Sequence, residues 1–178
     1  MYWKNYFFLI SLLAVFLTSC SATEKTEDTL IEEITKLENK LFEDNLSFEF
    51  SENIRNELIE KYDAFYSQYP NHSIAPEYLF RLADLHRSAG DPVLAARTYE
   101  RTYAEYPTYE NRAQVLFLIG FTYENEVNDT SEARFWYNRF LEVYPEHPLT
   151  KDVEFSLNFL GKSPEEMIRL WESQQDNQ

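Results

Sequence analysis

Glycine, cysteine and positive charge are all scarce in this chain of 178 residues, and each shortage removes a class of protein. Three glycines, Gly90, Gly120 and Gly161, are too few for sheets joined by tight turns and leave no Gly-rich loop to cradle a phosphate. One cysteine, Cys20, excludes an internal disulfide, so stability must come from packing. The 44% hydrophobic content makes a core possible, and the length suits one domain. Lys and Arg number 16 against 31 acids, a formal charge of −15. Such a polyanion repels nucleic acid and anionic lipid headgroups, which argues against a nucleic-acid role, and it keeps the protein soluble. Long apolar runs are missing with one exception. Phe7 to Leu17 is broken only by Ser11, about half the ~20 residues a membrane-spanning helix needs and of signal-peptide length.

That run ends in Leu17-Thr18-Ser19-Cys20. The arrangement resembles the lipobox of bacterial lipoproteins, in which small residues precede a cysteine that is acylated and becomes the mature N-terminus. The alternative is an ordinary signal peptide cleaved nearby, for example after Ala22, with Cys20 lost. The lipobox reading makes residues 1–19 a signal peptide and residues 20–27 a lipidated cysteine with a flexible tether. Cleavage there removes one Lys and no acid, leaving 15 basic and 31 acidic side chains, a formal −16. The resemblance implies three acyl chains, an envelope address and, with Ser21 after the cysteine, sorting to the outer membrane; the domain is expected to face the periplasm. Two or more chains give stable anchoring. The tether residues 21–27 reach no more than ~25 Å, which holds the folded part near the membrane surface.

Three Tyr-Pro pairs, Tyr69-Pro70, Tyr106-Pro107 and Tyr144-Pro145, recur at spacings of 37 and 38 residues. Proline cannot continue a helix and biases the preceding residue out of helical geometry, so each pair marks a helix end. One stop signal at a nearly fixed period means one unit used repeatedly. Leu30, Ile34, Leu37 and Leu41 recur at helical spacing and predict a helix from Asp28 to about Asp44. Ser51 is read as the cap of a second helix, which carries Ile54, Leu58, Tyr62 and Phe65 to Tyr69. The next pair spans Ile74–Ala89 and Pro92–Tyr106, with Gly90 closing the first helix and Asp91 capping the second. A third pair covers Asn111–Glu126 and Thr130–Tyr144. A shorter helix, Leu149–Leu160, stops at Gly161. Ser163-Pro164-Glu165-Glu166 then spells a capping box that opens a last helix through Trp171, with Gln174 to Gln178 expected to fray. The expected fold is all-α, eight helices in four pairs over residues 28–175.

The second and third pairs resemble tetratricopeptide repeats. Leu79, Leu82, Ala83 and His86, then Ala95, Tyr99, Thr102 and Pro107, occupy the repeat's positions in one. Leu116, Ile119, Gly120 and Tyr123, then Ala133, Tyr137, Phe140 and Pro145, occupy them in the other, with one extra residue in its turn. Gly or Ala lets paired helices approach closely, and the aromatics fill the wedge between them. The first pair matches only in its second helix, and the fourth is degenerate, as a terminal cap should be. The resemblance implies a helical-hairpin solenoid whose first helices line a concave surface for protein partners. On those helices it points to Phe80, Asp84 and Arg87, then Phe117, Phe121 and Glu124, with Glu77 and Gln114 at the near end. It also suggests the tetratricopeptide lipoproteins and periplasmic proteins that serve envelope assembly.

The remaining candidates point elsewhere. His72 and His147 are equivalent turn positions about a repeat apart, where the middle repeat has Tyr109, so they do not converge on one ion; His86 reads as a packed histidine. No spacing matches a structural zinc or a calcium loop, and no metal or cofactor is expected. Glu32-Glu33 and Glu165-Glu166 are adjacent and point to different sides of a helix, so neither is an acid/base dyad. No serine has a strand–turn–helix context, and no small-molecule substrate is expected. The expected function is a non-enzymatic, lipid-anchored scaffold that docks an envelope protein or peptide segment. The open alternatives are a glycan- or peptidoglycan-binding lipoprotein that stacks groove aromatics on sugar rings, and coverage of the three phenylalanines by the Asp28–Asp44 helix.

Overall fold

The computed structural model describes residues 26–41 and 48–175. Cys20 and the proposed signal peptide and tether, apart from Thr26 and Glu27, lie outside these residues. Among the described residues there are eight α-helices and no strand. They are α1 (Glu27–Leu41), α2 (Phe48–Gln68), α3 (Ala75–Ser88), α4 (Pro92–Glu105), α5 (Arg112–Thr122), α6 (Thr130–Val143), α7 (Thr150–Phe159) and α8 (Pro164–Gln175), with a π turn at Tyr123–Val127 following α5. No described helix is long and apolar enough to cross a membrane.

From α1 to α7 each helix packs on the one before it and the one after it, which is the contact pattern of a helical-hairpin solenoid. Two apolar clusters run through the stack. Leu30, Ile34 and Leu37 of α1 meet Ile54, Leu58, Tyr62 and Phe65 of α2 and Tyr78, Leu79 and Leu82 of α3. Ala83, Tyr99, Val115, Leu116, Ile119, Tyr137, Phe140 and Val153 continue the core from α3 to α7. Helix α3 contributes to both clusters, so the apolar face of no single pair is buried without its neighbours.

The repeat ends are built alike. Tyr69, Tyr106 and Tyr144 carbonyls accept from the backbone N–H of His72, Tyr109 and His147, whose own carbonyls accept from Ala75, Arg112 and Thr150. His72 Nδ1 accepts from the Ile74 N–H and His147 Nδ1 from the Leu149 N–H, both at 3.2 Å. The two imidazoles stand edge-on to Phe65 and Phe140, at 5.4 and 5.6 Å. They are turn-forming devices, used twice. Tyr106 also donates its hydroxyl to the Pro70 carbonyl at 2.7 Å, tying one repeat end to the next.

Several boundaries differ from the sequence reading. Ser51 does not cap α2; the helix begins a turn earlier, at Phe48, and Ser51 lies within it. The Asn111–Glu126 segment is not one uniform helix. Its extra residue is absorbed in the π turn, after which Asn128 takes a left-handed conformation at φ 62. There Asn128 plays the part that Gly90, at φ 84, plays in the preceding pair. A widened helical turn keeps the helices in register without lengthening the loop. Asp91 and Asp129 then cap α4 and α6, accepting from Leu94 in one case and from Ser131 and Glu132 in the other. Asp129→Ala is expected to lower stability by about 1 kcal/mol, with Asp129→Asn recovering most of it, in urea melts followed by circular dichroism.

The last pair is half built. The capping box forms as read, with the Ser163 N–H donating to Glu166 Oε2 at 2.8 Å and the Glu166 N–H to Ser163 Oγ at 3.3 Å. Helix α8 continues to Gln175, past the expected end at Trp171. Among the described residues, α8 makes at most slight contact with α7 and the rest of the stack.

Candidate docking groove

Aromatic side chains on α3 and α5, with charged ones on α1, α3 and the π turn, make up the candidate groove. Phe80 on α3 is half-buried, with its ring 5.8 Å from Tyr99 and 6.3 Å from Tyr109. Phe117 and Phe121 on α5 are half-buried and lie 6.0 Å apart, and Phe117 also stands 6.2 Å from Tyr137. Their ring neighbours thus belong to α4, α5, α6 and the turn before α5. Helix α1 occupies the first-helix place of the first pair, with its apolar side on α2 and α3. Two open cavities lie along the near end of this face. One, of about 870 Å³, is lined by Ile74, Pro76, Glu77, Tyr106, Tyr109 and Asn111. The next, of about 370 Å³, is lined by Asn111, Gln114, Phe117, Leu118, His147 and Leu149. They share Glu110 and Asn111 and sit one repeat apart.

The charged members of the groove are bound into the scaffold. Tyr62, Tyr99 and Tyr137 stand at one position of the second helices, 37 and 38 residues apart. Each sends its hydroxyl back to a carboxylate of its own pair: Tyr62 to Glu38, Tyr99 to Asp84, and Tyr137 to Glu124 at 2.6 Å. Tyr109 does the same across pairs, donating to Glu77 at 2.6 Å. Arg81 donates to both Glu77 and Glu38, so it links α3 to α1. Arg87 lies 3.8 Å from Asp84 and 3.1 Å from Glu126 of the π turn.

These contacts set the electrostatics. Burial, and then the carboxylate each one faces, push the Tyr62, Tyr99 and Tyr137 hydroxyls well above the ordinary tyrosine range. Burial acts to raise the Glu77 carboxyl, but hydrogen bonds from Tyr109 and Arg81 outweigh it and hold the group below its usual value. Burial also pushes the His86 imidazole down, against the pull of Asp91 and Asp63, as suits a packed histidine. No group of three or more His, Cys, Asp or Glu among the described residues is placed to hold a metal ion.

Of the six groove residues read from the sequence, Phe117 and Phe121 are brought together, and Phe80 packs on Tyr99 and Tyr109. Asp84 and Glu124 accept from tyrosine hydroxyls, and Arg87 pairs with Asp84 and Glu126. The sequence reading omitted Glu38, Arg81 and Glu126. The pairing of each second-helix tyrosine with an acid on the preceding helix spans 24, 15 and 13 residues, so no fixed interval advertises it.

Residues 77–109 match the family model of the tetratricopeptide repeat. The matched segment is α3 from its first turn, all of α4, and the turn to Tyr109, a little less than one period of the chain. No curated protein matches the sequence. The fold is therefore a tetratricopeptide-like helical solenoid carrying at least one recognisable repeat.

Proposed function

We propose that this protein is a non-catalytic scaffold, anchored by lipid at Cys20, that docks a segment of a partner protein on its first-helix face in the bacterial envelope. Tetratricopeptide repeats typically bind protein or peptide partners, and that much follows from the match at residues 77–109. The observation that carries the proposal for this chain is the row Phe80, Phe117 and Phe121. These rings stay half-exposed on α3 and α5, and Phe117 lines the smaller of the two open cavities. The anchor and the outer-membrane, periplasm-facing address rest on the apolar run and the Leu17-Thr18-Ser19-Cys20 sequence. The short tether then holds whatever the groove captures close to the membrane.

Affinity capture from crosslinked envelopes tests both halves. The wild-type chain is expected to co-purify a protein partner from the membrane fraction. Cys20→Ala should move the chain to the soluble fraction while leaving the groove competent. Phe121→Ala should reduce capture with little loss of thermal stability, because that ring meets mainly Phe117. Phe117→Ala should do both, since its ring also packs on Tyr137 and the core. Undiminished capture by Phe121→Ala and Phe117→Ala would place the docking surface elsewhere.

A further inference from the structure

Resting on that docking role, we infer that the groove takes a cationic segment, one carrying Lys or Arg at intervals with apolar side chains between them. The argument is charge complementarity on an apolar floor. Five carboxylates line the face (Glu38, Glu77, Asp84, Glu124 and Glu126), and the guanidinium groups of Arg81 and Arg87 answer them. Each arginine is shared between two acids, Arg81 between Glu38 and Glu77 and Arg87 between Asp84 and Glu126. Glu124 is met by the Tyr137 hydroxyl, which is neutral.

The tyrosines orient carboxylates without cancelling their charge. Five carboxylates against two guanidinium groups leave the face three negative charges in excess, carried mainly at its two ends by Glu38 and by Glu124 with Glu126. Because the hydroxyls already hold these groups in place, an arriving ammonium or guanidinium meets acceptors that need not be ordered first. Phe80, Phe117 and Phe121, half-exposed on α3 and α5, offer both apolar contact and ring faces that attract cations. An acidic segment would meet like charge here, at a penalty that sets specificity.

The test uses the full chain and two synthetic leucine-containing peptides, identical except that one has Lys wherever the other has Glu. Aromatic and amide NMR shifts of α3 and α5 report binding. The lysine peptide is expected to shift Phe80, Phe117 and Phe121, and to bind more weakly as salt is raised. Combining Glu124→Gln with Glu126→Gln preserves the hydrogen-bond acceptors and should weaken the lysine peptide roughly three- to tenfold. Glu57→Gln with Glu60→Gln changes the net charge equally on exposed positions of α2 and should leave it unchanged. Equal binding of the glutamate peptide on this face, or equal loss from the α2 pair, would overturn the charge inference and leave the docking role standing. If neither peptide moves these resonances, and a captured envelope partner does not move them either, the docking role falls as well.

Discussion

Gly120→Val is expected to lower the stability of the whole stack by about 2–3 kcal/mol, the upper part of the range for overpacking a filled core. A Cβ at this position would lie 2.6 and 2.7 Å from two carbons of the Tyr137 ring. That ring is fully buried and its hydroxyl is held by Glu124, so it has nowhere to retreat. Gly120→Ala should be milder, because the gain in helix propensity of about 1 kcal/mol offsets part of the clash. The two effects separate in a double-mutant cycle with Tyr137→Leu, which shortens the obstructing side chain. The pair should be less damaging than the sum of the single changes, by urea melts on all four proteins. Strict additivity would mean that α5 and α6 can move apart freely. Ala83 stands one period earlier against Tyr99, also fully buried, which shows that the second pair accepts one methyl where the third accepts none.

The second large effect is an alkaline limit on stability. Tyr62, Tyr99, Tyr109, Tyr123 and Tyr137 all have hydroxyls raised above the ordinary value, burial being the first cause and a neighbouring carboxylate the second. Tyr106 is raised to about 12, by burial and then by the nearby Tyr66 and Glu105. In the unfolded chain these groups ionise near pH ~10. Above that pH the unfolded state binds fewer protons than the folded one, so stability falls as pH rises. Below it, the contribution is fully present and independent of pH. Thermal melts should be flat in this respect up to about pH 10 and then fall steeply. Tyrosinate absorbance should appear together with loss of helix, in one cooperative step. Tyr99→Phe should blunt that slope while weakening the fold at neutral pH, since it leaves Asp84 without its donor. Tyrosinate forming well before the helices melt would mean that these hydroxyls are open to solvent.

Much of the architecture was legible because its signals are local. Pro70, Pro107 and Pro145 end helices through their own ring geometry. Gly90, Asp91 and the Ser163–Glu166 box act within one turn, and the structure uses all of them as read. Local reading failed where a local signal was overruled. Ser51 is a good cap by type, yet α2 begins earlier at Phe48. The extra residue before Asp129 was countable, but only packing of that segment against both α4 and α6 turned it into a π turn closed by Asn128.

The candidate groove divides in the same way. Phe80, Phe117 and Phe121 were assigned to one face by the positions that the resemblance to the repeat implies. Their half-burial, and the commitment of Asp84 and Glu124 to tyrosine hydroxyls, could not be read that way. By itself the sequence determined the helical class, the period, the helix ends and the shortage of positive charge, since each depends on residue type and spacing along the chain. The tertiary structure alone decided which acid each tyrosine meets, that Arg81 joins α1 to α3, and that Gly120 must stay bare against Tyr137. The physical reason is distance: those contacts join helices whose residues are many turns apart in sequence, and they exist only once the pairs have stacked.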